Sequence, residues 1–298
     1  MGDHHPIAES LTALAEILKR EKARGVDTLG LLPETEENLR GMPMAIMKAA
    51  VSAAALNTGR VDSSPPAKQG SAPVKGNEGG RSEKEIRASL NAIFKEAKAC
   101  PECLKLGTLG DTIVFAAGNP MADLMFVGEA PGSEEEKERK PLAGASRQKL
   151  DQIIQAMGLN PSDVYFSNIV KFRPKKGDGR FQGASDRKPD ATEMSASIKY
   201  IRAEIETIRP KAIVVLGATA AEGLLEIGGT FSSLRQSTHQ FDGVPVIVTY
   251  HPSFLLRQEG EGDPEKAKAA KRSIWEDMLR AMELLDMTVS EKQRGFFL

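Results

Sequence analysis

The chain has 298 residues, and its 40 basic side chains almost balance its 41 acidic ones. The near-zero net charge does not by itself indicate a nucleic-acid binder. With only two cysteines, a disulfide-rich secreted fold is excluded. We find no apolar run of the roughly 20 residues that a membrane helix needs, and the N-terminus lacks the apolar core of a secretory signal. We therefore expect a cytoplasmic protein that acts away from membranes.

The first part of the chain differs in composition from the rest. Between residues 6 and 24, apolar residues recur at helical spacing up to Gly25, which predicts an amphipathic helix with a stripe of Ile7, Leu11, Leu14, Ile17 and Leu18. Residues 57–81 are rich in Gly, Ser and Pro, a composition typical of a flexible linker. We expect three parts: a helical extension over 1–56, a linker over 57–81 and a folded domain over 82–298.

From about residue 82 onward, short apolar segments alternate with helical ones. Buried strands are predicted at 123–128, 163–170, 211–217 and 244–250. Helical periodicity lies near 146–158, 190–208, 219–226 and 264–286. This alternation is typical of right-handed crossovers between parallel strands. The predicted fold class is α/β, a three-layer α/β/α domain with a central, mostly parallel, four-stranded sheet.

Loops that follow parallel strands meet at one edge of the sheet, where α/β proteins bind their ligands. After the first strand comes GEAPGSEEE, in which Ser133 and Glu136 have the spacing of a capping box, so that Glu135 has no capping role. Asn168 and His251 end the second and fourth strands. Each feature alone has a structural explanation as a tight turn or a satisfied polar residue. Their meeting at one edge favours a functional site.

Four segments, in this order, resemble one known family: NPMADLMFVGEAPGSEEE, NIVKFRP, KAIVVLG and HPSFLLR. They are similar to uracil-DNA glycosylases of family 4, the iron–sulfur class. The similarity covers about residues 98–285 and includes CPECL at its start. It implies the fold of that superfamily and a hydrolase of base excision repair. Such an enzyme flips uracil, or a related deaminated base, out of DNA and leaves an abasic site.

The resemblance also implies roles for individual residues. Asn168 would hydrogen-bond the edge of the flipped uracil, His251 would donate to the uracil O2, and Glu135 would position water or stabilise the sugar cation. Adjacent leucines of the last motif would fill the gap in the duplex, and basic side chains would contact phosphates. The implied contacts to DNA are Ser253, Leu255, Leu256, Arg257, Lys171, Arg173, Lys175 and Lys176.

The implied base pocket has Glu129 and Ala130 in its wall, but one of its positions departs from the family. Where the family has PFVG this chain has PLAG, so Leu142 replaces an aromatic ring that stacks on uracil. Extra residues also lie between Pro174 and Asp186, within a basic segment that carries seven Lys or Arg and two Asp over 171–188. A related branch carries a nucleophilic histidine in this loop. No histidine occurs here, so that covalent chemistry is not expected.

The C-x-x-C pair, Cys100 and Cys103, is half of the ligand set that the family uses for its cluster. The two further cysteines of the family are replaced here by Phe172 and Ser197. Two thiols cannot complete a four-ligand cluster or a zinc site. We therefore expect no iron–sulfur cluster and no other metal, and packing as the role of the two cysteines.

Two functions stay open at this stage. The first is a monomeric glycosylase that acts on single- or double-stranded DNA containing uracil. The second is a glycosylase-like domain that binds nucleic acid or a base without cleaving it, which the Leu142 substitution and the missing ligands favour. An unrelated nucleotide-binding protein is disfavoured because the chain contains neither a P-loop nor a G-x-S-x-G elbow.

Overall fold

The structure is a computed structural model, and it describes residues 81–180 and 182–298. The amphipathic helix over 6–24, the extension over 1–56 and nearly all of the linker over 57–81 lie outside the described residues. No helix among the described residues is both long and apolar enough to cross a membrane.

Helices and strands alternate along the described chain. In order they are α1 (Glu83–Lys98), α2 (Pro101–Leu106), β1 (Leu109–Ile113), β2 (Ala116–Gly118), β3 (Leu124–Gly128), α3 (Ser133–Glu138), α4 (Gly144–Met157), β4 (Tyr165–Asn168), β5 (Phe172–Pro174), α5 (Ala191–Ile208), β6 (Ala212–Leu216), α6 (Ala218–Leu225), α7 (Phe231–Gln236), β7 (Thr238–Phe241), β8 (Val244–Thr249), α8 (Pro252–Gly260), α9 (Pro264–Leu284) and α10 (Glu291–Arg294).

A six-stranded sheet with the order β2-β4-β3-β6-β8-β7 forms the centre of the domain. Strands β4, β3, β6 and β8 pair in parallel, whereas β2 and β7 are antiparallel edges. Strands β1 and β5 form a separate two-stranded sheet. The predicted α/β class and its four parallel strands are confirmed. The prediction omitted the edge strands because three or four residues are too few to show a period of two.

The central strands β3 and β6 are buried along their whole length. Helices cover both faces of a parallel sheet, so side chains pointing to either face must be apolar. On one face, Met125 and Val127 join a core with α1 and α5. On the other face, Leu124 and Phe126 join a core with α4 and α9. The result is the predicted three-layer arrangement.

The end of β3 lies directly against the end of β4. Gly128 pairs in register with Asn168, and the following amides of Ile169 and Val170 donate to the carbonyls of Gly128 and Glu129, both at 3.0 Å. A Cβ at Gly128 would lie 2.3 Å from Oδ1 of Asn168. A larger residue at position 128 would therefore displace the Asn168 side chain, and this close approach joins the GEAPG turn to the end of β4.

Candidate active site

Loops that follow the parallel strands line a cavity of about 610 Å³. That volume is in the usual range for a small-molecule site and leaves room for more than a pyrimidine ring. The predicted residues that line it are Glu129, Ala130, Glu135, Leu142, Asn168, His251, Ser253 and Arg257. The parallel sheet therefore brings the three predicted catalytic side chains into one cavity.

Backbone amides hold both oxygens of the Glu135 carboxylate. Its Oε2 accepts from the amide of Gly132 at 3.0 Å, and its Oε1 accepts from the amide of Ala143 at 2.9 Å. Gly132 is the residue that caps α3, so the capping partner is Glu135. The predicted box of Ser133 and Glu136 is wrong, because Ser133 already lies in the first turn of the helix. Each oxygen of Glu135 keeps a further lone pair for a water or a cationic sugar.

Leu142 occupies the cavity wall with an unusual backbone conformation. Its φ is 57°, in the left-handed region, and its side chain is buried in the core beneath the cavity. A non-glycine residue in this region costs about 1 to 2 kcal/mol, so the surrounding packing must hold it there. The loop thus presents an aliphatic side chain to the cavity, at the position where the family resemblance implies an aromatic ring.

Aromatic residues that the sequence analysis missed lie elsewhere in the same cavity. Tyr250 and Phe254 stack with their ring centres 4.2 Å apart, and Phe231 meets Tyr250 edge-on at 5.0 Å. The Arg235 guanidinium lies 4.3 Å from the centre of the Tyr250 ring. Their sequence positions, beside a strand end or on an amphipathic helix, are equally typical of core residues. Such rings offer stacking surface to nucleic-acid bases.

Lys171 is inside the protein and does not face the cavity. Its side chain is 1 % exposed, donates to Ser167 Oγ and to the carbonyl oxygen of Asn168, each at 2.7 Å, and forms an ion pair with Glu204 of α5. Glu204 Oε2 also accepts from the Tyr165 hydroxyl at 3.1 Å and from Ser167 Oγ at 2.8 Å. The prediction that Lys171 contacts phosphate is wrong because its ammonium is buried and fully paired.

Desolvation acts on both members of this buried pair. It lowers the pKa of Lys171 and raises the pKa of Glu204, since burial disfavours each charged form. The attraction between the two side chains opposes both shifts.

Arg173 is also turned inward and holds the inserted loop against the GEAPG turn. Its guanidinium bonds Asp186 at 2.8 Å, Glu136 at 3.3 Å and the carbonyl of Gly183 at 2.8 Å. Asp186 in turn accepts from the amide of Ser133 at 3.3 Å. The prediction that Arg173 contacts DNA is wrong because it is 8 % exposed and already paired.

Other basic residues of this segment stay accessible. Lys176 is exposed and bonds Ser185, while Lys175 is partly exposed with its Nζ 3.8 Å from Asp111. Contact with phosphate stays a prediction for these two lysines. The same segment also lines the cavity with Arg187 and Lys188. The sequence pattern did not single them out, because nothing in a run of charges shows which members turn toward a site.

His251 caps the N-terminus of α8 with its ring. Its Nδ1 accepts from the amide of Ser253 at 3.2 Å and lies 2.8 Å from the Ser253 hydroxyl. An amide can only donate, so the neutral ring carries its proton on Nε2. Burial lowers the pKa of His251 to about 4, and the ring is therefore neutral at neutral pH. The arrangement provides a neutral Nε2–H donor.

The two adjacent leucines of α8 have different surroundings. Leu255 is 3 % exposed and packs against Ala270 and Ile274 of α9. The prediction that Leu255 enters DNA is wrong because its side chain belongs to the core. Leu256 is partly exposed, and Arg257 beside it is exposed. Among the two leucines, Leu256 is the candidate for a wedge.

The remaining C-x-x-C pair does not fit a metal cluster. Cys100 and Cys103 are free, buried thiols, and Cys103 Sγ lies 3.6 Å from Ser197 Oγ. Phe172 is part of the same hydrophobic core. Burial raises the pKa of Cys103 to about 11, which disfavours its thiolate, whereas at Cys100 hydrogen bonds outweigh the effect of burial and the pKa is lowered. No group of three or more His, Cys, Asp or Glu within residues 81–180 and 182–298 could hold a metal ion.

Comparisons with known proteins show the superfamily to which the chain belongs. The family model described as "Uracil DNA glycosylase superfamily" matches residues 115–279. The chain is 31% identical over 204 residues to the Type-4 uracil-DNA glycosylase of Thermotoga maritima, covering 67% of this chain and 95% of the relative. It is 34% identical over 177 residues to that of Sulfurisphaera tokodaii, covering 56% and 76%, and 31% identical over 191 residues to that of Archaeoglobus fulgidus, covering 60% and 91%.

The protonation of His251 is directly measurable. Its imidazole signals should not titrate between about pH 5.5 and 8, the range in which an ordinary histidine with a pKa near 6.5 changes charge. Two-bond ¹H–¹⁵N correlation spectra should show the proton on Nε2, with His251→Gln used to assign the signals. A midpoint above about pH 6, or a proton on Nδ1, would contradict the arrangement described.

Proposed function

Because the chain belongs to the uracil-DNA glycosylase superfamily, we propose that it is a DNA-repair hydrolase that cleaves the N-glycosidic bond of uracil, or of a related deaminated base, in DNA. The observation that carries the proposal is the meeting of Glu135, Asn168 and His251 in one cavity. These are the three side chains that the family resemblance assigns to catalysis.

The chemistry of the cavity supports this reaction. Breaking the bond between sugar and base leaves a cation-like sugar and a negatively charged base. The neutral ring of His251 would donate its Nε2–H to the base oxygen on which negative charge develops. Because the ring is already neutral, no charged imidazolium would have to give up its charge. The Asn168 amide can donate to one base atom and accept from the next. The Glu135 carboxylate, held by two amides, would stabilise the sugar or orient the water that attacks it.

The first test is excision of uracil by the purified full-length chain. Under single-turnover conditions with enzyme in excess, it should leave an alkali-labile abasic site in a uracil-containing oligonucleotide. His251→Ala and Asn168→Ala should each slow this step about tenfold or more, because each removes a group that acts on the leaving base. Hypoxanthine and xanthine substrates in the same assay would show which base is preferred.

His239→Ala is the matched control for the histidine variant. His239 lies on the edge strand β7, where its Nε2 is 2.7 Å from the carbonyl of Leu234, and we expect full activity from this variant. If the wild-type chain forms no product from single- or double-stranded substrate, the hydrolase proposal fails. Salt-dependent DNA binding without product would then favour the binding protein that the Leu142 substitution suggests.

The two leucines of α8 provide a second, internally controlled prediction. Leu256→Ala should slow excision from duplex DNA more than from a single strand, because only the duplex leaves a gap that must be filled after the base is flipped. Leu255→Ala should instead lower the free energy of unfolding by about 2 to 5 kcal/mol, since it leaves a cavity in the core. Equal losses on both substrates for Leu256→Ala would contradict its role as a wedge.

We propose that this catalysis proceeds without an iron–sulfur cluster. Protein purified without oxygen should show no broad absorbance at roughly 400 nm, and metal analysis should find no stoichiometric iron. Cys100→Ser together with Cys103→Ser should retain excision activity, although the loss of two buried thiols should destabilise the fold. Iron in proportion to protein, lost together with activity in the double variant, would contradict the proposal.

A further inference from the structure

We propose that the buried pair of Lys171 and Glu204 positions Asn168, so that both are positioning residues for base recognition. The inference rests on the function proposed above, because it assigns the pair to the same site. Neither side chain lines the cavity, and both act through the backbone of Asn168.

The Lys171 ammonium has three partners. It donates hydrogen bonds to Ser167 Oγ and to the carbonyl oxygen of Asn168, each at 2.7 Å, and it forms an ion pair with Glu204. The carbonyl of Asn168 belongs to the main chain of the residue that is expected to read the base. The position of that peptide group therefore depends on where the ammonium lies.

Contacts from other elements hold the ammonium in place. Glu204 lies on α5 and is 0 % exposed, and it also accepts hydrogen bonds from Tyr165 and Ser167 of β4. The carbonyl of Lys171 itself accepts from the amide of Val114 at 2.7 Å, just after β1. The short loop after β4 is thus fixed at its far end by β1, and Lys171 reaches back from there to Asn168. The network connects α5 and β1 to the edge of the sheet at which the cavity lies.

Stability alone does not account for two charges at this place. A buried ion pair often stabilises a fold no more than well-packed apolar side chains of similar size do, because both charges must be desolvated. Apolar side chains in the same space would satisfy the packing. They would, however, leave the carbonyl of Asn168 without its hydrogen-bond donor. The consequence would be a change in the position of Asn168.

The Asn168 side chain has little tolerance for such a change. Its Oδ1 fits so closely over Gly128 that a single added carbon there would lie 2.3 Å away. A displacement of the main chain at Asn168 would therefore move the amide relative to a bound base. Misplacement of a reacting group by about 1 Å can slow an enzyme roughly 100-fold.

The decisive variant replaces both charges at once. Lys171→Met combined with Glu204→Met removes the pair without leaving a lone buried charge, and urea unfolding should show stability close to that of the wild type. Single-turnover excision should fall about 10- to 100-fold in its maximal rate, while the enzyme concentration for half-saturation changes less than about threefold. Ser167→Ala, which removes one acceptor and keeps both charges, should give a smaller loss.

Lys199→Met is the matched control, because Lys199 lies on α5, the helix that also carries Glu204, and forms an exposed ion pair with Glu102 of α2. It should leave rate and stability unchanged. The ¹⁵N-bound side-chain amide signals of Asn168, assigned by their loss in Asn168→Asp, give a second readout that needs no activity. They should shift in the double methionine variant and stay in place in Lys199→Met.

The outcomes separate this inference from the proposed function. A wild type without excision activity overturns the proposed function, and the Asn168 signals then still test the positioning. A folded double variant that excises at the wild-type rate, or unshifted Asn168 signals, overturns the inference. If the double variant does not fold, Ser167→Ala decides, since full activity and unshifted signals there would also overturn it.

Discussion

The hydrogen-bonded pairing of parallel strands determines the architecture of this site. Strands that run in the same direction place the loops that follow them at the same edge of the sheet. Strands β3 and β6 are buried along their whole length and contribute no polar side chain. The polar groups of the site come instead from the loops and helix starts that follow the strands, and from Asn168, the last residue of β4. The apolar interior and the polar edge are therefore separate almost everywhere. The buried charges of Lys171 and Glu204 are the exception next to the site, and they lie directly behind Asn168.

Sequence reasoning predicted the fold class and the four parallel strands, and the family resemblance supplied the three side chains that share the cavity. The fold class and the strands depend on periodicity and on strand direction, which single residues seldom change. In an irregular segment, no periodicity in the sequence indicates which way a side chain points. Lys171 lies in such a segment. Leu255 and Leu256 are neighbours on a helix, so the starting point of α8 decides which one turns inward. Glu135 was misread for a similar reason, because α3 begins one residue earlier than the predicted capping box implied, which makes Glu135 the capping partner in place of Glu136.

The residues around Cys100 and Cys103 show how the protein can pack a region where its relatives are expected to hold a cluster. A thiol beside a hydroxyl and a phenylalanine in the core hold α2 against α5 by ordinary packing. A metal site couples folding to metal supply and to pH, because its ligands must lose their protons. Without a cluster, that coupling would be absent. Folding of this domain would then depend on its core alone, and the cysteines would behave as small apolar residues.

Arg173 separates the inserted loop into a fixed base and an exposed tip. The base is tied through Asp186 and Gly183 to the turn that carries Glu135. The tip over residues 177–180 is largely exposed and includes two glycines with positive φ. Changes of length or sequence at the tip should therefore not be transmitted to the turn. The tip is a suitable attachment point for a fluorophore or an affinity tag, and a segment in which related proteins are free to diverge.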